Sequence, residues 1–111
     1  MNNIFNIKQN DTLPKLRMLL TDTDGVPLDL TGAAVLFRMQ PKAGGANKVS
    51  RAGAVVSPAT GGIVEYAWQA GDTDTIGKFN AEWVLTYSDG IRTVPSSSFA
   101  TIVVADSLTY P

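Results

Sequence analysis

Glu65 and Glu82 are the chain's two glutamates, and each falls on the polar side of an alternating apolar segment. Two carboxylates can run glycoside hydrolysis when one is kept protonated by apolar surroundings. Nothing in the sequence desolvates either one, so both read as hydrated surface groups. Asp22-Thr23-Asp24-Gly25 opens like a calcium loop. Such a loop needs further oxygen ligands and a bidentate Glu at its twelfth position, where this chain has Ala33. Asp72-Thr73-Asp74 could clamp a divalent ion, but Thr75-Ile76-Gly77 continues it as a connection into a strand. The chain has no histidine and no cysteine. It therefore lacks the commonest general base, the commonest metal ligand and any thiolate. No Gly-x-Ser-x-Gly elbow presents a serine, no motif supports a Ser-Lys dyad, and Gly61-Gly62 leads into a strand rather than a phosphate-binding helix. Trp68 and Trp83 could stack on a sugar, but both lie on the apolar side of their strands and read as core. The residue chemistry describes a protein that is not an enzyme and uses no cofactor and no metal.

The elements that position these groups are strands. Turn words recur at short intervals: Asp24-Gly25, Gly44-Gly45, Gly61-Gly62, Gly71, Asp89-Gly90 and Ser96-Ser97-Ser98. Between them lie segments rich in Val, Ile, Leu, aromatic residues and Thr, and none sustains a period of 3.6. The clearest is Lys78 to Ser88. There Phe79, Ala81, Trp83, Leu85 and Tyr87 alternate with Lys78, Asn80, Glu82, Thr86 and Ser88, Val84 being the one apolar exception, a period of two with one buried face. Ser88-Asp89-Gly90 turns the chain, and Ile91 to Val94 returns as its hairpin partner. Ile63 to Trp68, Ala34 to Gln40, Lys15 to Thr21 and Phe99 to Ala105 read the same way, with Val49 to Ser57 weaker. The inward sets are Val64, Tyr66 and Trp68; Val35, Phe37 and Met39; Leu16, Met18 and Leu20; and Ile102 and Val104. Ile4 to Ile7 is expected at an edge or as an arm. This predicts an all-β, antiparallel two-sheet sandwich, immunoglobulin-like or jelly-roll-like, of about seven or eight strands. It forms one domain over residues 1–111, with short N-terminal and C-terminal arms.

The 111 residues are 44% hydrophobic, enough for one packed core. Nine basic and ten acidic residues give a net charge of −1, without the basic excess of a nucleic-acid binder. No apolar run approaches the ~20 residues that cross a bilayer, and the N-terminus has no secretory pattern. Nucleic acid and membrane are therefore not expected partners.

The order of the turn and strand words carries a resemblance. It runs from Ile7-Lys8-Gln9-Asn10-Asp11-Thr12 through Asp24-Gly25-Val26-Pro27-Leu28-Asp29-Leu30-Thr31-Gly32-Ala33 to Val35, Phe37 and Met39. It continues with Gly62, Val64, Tyr66, Trp68, Asp72-Thr73, Gly77, Phe79 and Ala81-Glu82, and closes with Asp89-Gly90, Thr93 and Pro95. This sequence resembles the immunoglobulin-like N-terminal domain of tailed-phage baseplate upper proteins over roughly residues 4 to 105. In size and all-β character it is also similar to the small decoration, or staple, protein on capsids of epsilon-fifteen-like short-tailed phages. The resemblance implies a virion structural protein made in a host cytoplasm. The function expected from it is capsid decoration on the outer capsid surface, bound to the major capsid protein, with a homodimer across capsid twofold axes. The alternatives are a tail or baseplate adaptor and, third, a virion carbohydrate-binding module. The expected partner contacts are Ile4, Phe5 and Ile7 of an N-terminal arm, Lys42, Lys48 and Arg51 of an acid-free irregular segment from Pro41 to Gly53, and Leu108 and Tyr110 of a C-terminal tail.

Overall fold

The computed structural model describes residues 4–96 and 98–108. Nine strands are present: β1 Ile4–Lys8, β2 Leu16–Leu19, β3 Ala34–Pro41, β4 Val49–Ala52, β5 Ala54–Val55, β6 Ile63–Tyr66, β7 Gly77–Tyr87, β8 Gly90–Val94 and β9 Ala100–Ala105, with a single 3-10 turn at Ala59–Gly61. They form two sheets. The larger runs β1-β9-β7-β3-β4, with β8 also paired to β7, and the smaller runs β2-β6-β5. Every pair is antiparallel except β1 with β9, which is parallel from Ile4↔Thr101 to Lys8↔Ala105.

The period of two fixes which face of each strand is buried. Phe79, Ala81, Trp83 and Leu85 of β7 face inward, as do Val35, Phe37 and Met39 of β3, with Ile102 and Val104 of β9 and Leu16 of β2 beside them. At the centre, the Phe37 ring lies 4.8 Å from Tyr66 and 4.8 Å from Trp83, and its edge meets Trp68 at 5.9 Å. Both tryptophans are buried, so neither offers a sugar-stacking platform.

One side of the sandwich is closed by the chain itself. β4 belongs to the large sheet and β5 to the small one, and only Gly53 separates them. A Cβ at Gly53 would sit 3.0 Å from the Glu65 carbonyl oxygen and 3.0 Å from the Trp83 ring. The crossing strand can press this close to the core only because the residue is glycine. On the opposite side, among the described residues, nothing crosses, and β2 and β8 line the two walls of one cleft as free edges.

β8 and β9 are two halves of one return strand along β7. Partner numbers sum to 177 across β7 and β8 (Trp83↔Val94) and to 181 across β7 and β9 (Ala81↔Ala100). The difference of four is a bulge ejected from the ladder between Val94 and Ala100, and Phe99 within it is exposed.

Three expectations are corrected. The N-terminal segment takes the expected edge position and not the arm: as β1 it is the edge strand of the large sheet, Ile7 is 5% exposed in the core, and Phe5 stacks on Trp68 at 6.0 Å. Pro41 to Gly53 is not one irregular loop, because Pro41 ends β3 and Val49–Ala52 is β4. The hairpin turn is Ser88-Asp89, with Gly90 already in β8 and at no positive φ. Tyr110 lies outside the described residues.

Candidate partner-binding surface

The polar groups that could do chemistry are engaged with one another. Asp72 is 3% exposed, in the connection between β6 and β7. Its Oδ1 accepts from Arg51 Nη1 at 2.5 Å, and its Oδ2 accepts from the Tyr66 hydroxyl at 2.6 Å and the Gln69 backbone N–H at 2.8 Å. Arg51 Nη1 also donates to the Tyr66 oxygen at 3.1 Å. Burial, followed by the hydrogen bond to Asp72, pushes the Tyr66 hydroxyl up to about 12. Hydrogen bonds to Tyr66 and then Asp72 hold the Arg51 guanidinium still more firmly protonated. The buried carboxylate is thus satisfied by a cation and two neutral donors, as buried charge requires.

The same connection holds two other segments. Thr73 Oγ1 donates to the Asp11 carbonyl at 2.8 Å, and the Asn10 N–H donates to the Thr73 carbonyl at 2.9 Å. Lys48 Nζ donates to Asp74 Oδ1 at 2.5 Å, and this bond first, then Thr75, keeps the Asp74 carboxyl below its usual range. Asp72-Thr73-Asp74 is therefore a clasp for β4 and the end of β1. Its carboxylates point to protein cations rather than converging on an ion.

The two glutamates do not form a catalytic pair. Glu65, on the small sheet, accepts from Arg17 Nε at 2.8 Å and sits 3.8 Å from Lys15, and the Arg17 bond holds its carboxyl low. Glu82, on the large sheet, pairs with Arg38 at 2.8 Å. Asp22 Oδ1 accepts from the Asp24 and Val26 N–H groups at 2.8 and 3.0 Å, closing a turn as an Asx residue does.

The residues expected at the partner surface divide. Lys48 and Arg51 are tied inward to Asp74 and Asp72, and Ile7 is core. Phe5 is half-buried. Ile4, Lys42 and Leu108 remain exposed, and Lys42 lies beside Lys78, whose carbonyl its N–H meets at 3.0 Å. Among the described residues neither Lys42 nor Lys78 has a carboxylate partner.

Sequence reasoning missed the open side of the sandwich. A cleft of about 190 Å³ runs between the end of β2 and β8, with Met18, Leu19 and Leu20 on one wall and Arg92, Val94 and Pro95 on the other. It is smaller than the ~300–1,000 Å³ of small-molecule sites. One unused signal pointed there. Arg92 shares the inward parity of Val94 on its strand.

A family model described as the BppU N-terminal domain matches residues 1–110. No curated protein matches the chain.

Proposed function

The chain belongs to the family of BppU N-terminal domains, a structural domain of tailed-phage virions, and from that premise we propose that it is a non-enzymatic adhesive module at the baseplate end of the tail. It joins neighbouring virion proteins through its exposed surface. The observation that carries this reading is the extent of the family match, 110 of 111 residues. The internal pairing of Glu65, Glu82, Asp72 and Asp74 agrees with it, because a rigid body suits a scaffold. Many copies in one assembly let modest contacts sum. Lys42 and Lys78 are free to meet an acidic surface, which makes attachment weaken with salt. The capsid-staple expectation drew on size and all-β character, which tail domains share, and the family match favours the tail.

The test is localisation on intact virions that carry this protein, with an antibody to the chain and gold labelling. Label at the tail tip is the expected result. Label distributed over the capsid lattice would overturn the reading and restore the staple.

A further inference from the structure

The outer edge of β8 is an unfilled strand position. Tyr87 and Gly90 flank a two-residue turn, so they form a hydrogen-bonded pair, and the alternation of an antiparallel ladder then fixes the rest. Gly90, Arg92 and Val94 turn their backbone groups to β7, while Ile91 and Thr93 turn theirs away from the sheet. Along the neighbouring half of the return strand, β9 is covered by β1, whose pairing begins at Ile4↔Thr101. Along β8, among the described residues, no strand lies there. Ile91 on this strand is 71% exposed, and across the cleft Leu19 is also exposed. A strand edge with free backbone donors and an apolar cleft beside it is a ready template for another strand.

We propose that this edge accepts an extended segment of a partner protein as an added strand, and that the segment carries a carboxylate opposite Arg92. The backbone bonds would run to Ile91 and Thr93, and alternate side chains would enter the cleft beside Met18, Leu20 and Val94. Charge selects the segment. Arg92 projects on the cleft side and, among the described residues, has neither an ion pair nor a hydrogen bond from its side chain. Asp22, on the far wall, already has its Oδ1 on two backbone N–H groups. A second copy of this chain is the poorer occupant. Antiparallel pairing of β8 with itself through Ile91 and Thr93 sets Arg92 directly opposite Arg92, and like charges facing each other destabilise a pair.

This inference rests on the reading that the domain works through protein contacts, yet it fails separately: tail-tip label without strand binding sinks only the strand. The probe is a blocked heptapeptide, Thr-Val-Glu-Val-Thr-Val-Gly, titrated into the full chain and followed by amide shifts and hydrogen exchange. The control peptide replaces Glu by Lys. Shifts and new protection centred on Ile91 and Thr93, with about tenfold weaker binding of the Lys peptide, are expected. Arg92→Glu should reverse that preference. Thr93→Pro should abolish binding while the domain stays folded, since proline at an outward-facing edge position leaves the β7 ladder intact. Three results would overturn the proposal: no shifts at Ile91 and Thr93, equal binding of the Glu and Lys peptides, or a concentration-dependent dimer that Thr93→Pro removes.

Discussion

Trp83 packs beside Phe37 of its own sheet and against the Gly53 crossing between the two sheets. Trp83→Ala should cost roughly 3–5 kcal/mol, a large part of a domain's ~5–15 kcal/mol, read as a lowered denaturant midpoint. Gly53→Ala tests the crossing from the other side. Its new Cβ would press on the Glu65 carbonyl, which cannot rotate away as a side chain could. A loss of about 1–3 kcal/mol is expected. Gly90→Ala, with nothing within 4 Å and an ordinary φ, should be near neutral in the same assay. Tyr66 supplies a pH signature. Its folded value near 12 exceeds the ordinary value of 10.0, so the unfolded chain releases that proton first. Its contribution is whole below pH 10 and disappears as the pH rises towards 12. Denaturation of wild type and Tyr66→Phe across that window should show a steeper decline in the wild type.

At the scale of elements, the β6–β7 connection works as a clasp, and Asp72→Ala should show it. The Tyr66 hydroxyl and the Gln69 N–H would lose their acceptor, at a cost of about 1–3 kcal/mol. Hydrogen exchange should rise in β4 and at the end of β1 together, since both hang from this segment. At acid pH the sign is opposite to that of Tyr66. Asp74 and Glu65 are held below the usual carboxylate range, so their contributions are present above it and fade as the pH falls. Asp74→Asn should flatten the acid limb of the stability profile. How much of this was legible follows from the range of the interactions. β7 could be read because eleven residues alternate against one core, and β3 and β9 follow the same local rule. β1 was legible only as an edge or an arm, and its partner was not, since β9 lies at the far end of the chain and parallel pairing leaves no turn signal between them. The pairing of Lys48 and Arg51 with Asp74 and Asp72 was equally hidden. The sequence shows a basic segment without acids, and only the fold brings the acids to it. The open β8 edge was invisible because an edge is defined by which strand is missing beside it.

For the whole molecule, one aromatic cluster joins both sheets, so neither sheet has a core of its own. Near-ultraviolet and far-ultraviolet dichroism should therefore be lost in one coincident transition on heating, and separated transitions would contradict the shared core. The parallel pairing of β1 with β9 has a further consequence, which is mechanical. Ile4 begins β1 at one end of the sheet, while Ala105 ends β9 at the other, beside Lys8. A pull applied between residue 4 and residue 108 slides the two strands along each other, so the hydrogen bonds of all five pairs share the tension at once. An antiparallel pair pulled from the same end would instead open like a zip, one bond after another. A domain tethered through these two points would resist stretching in shear, the stronger of the two geometries for the same number of bonds.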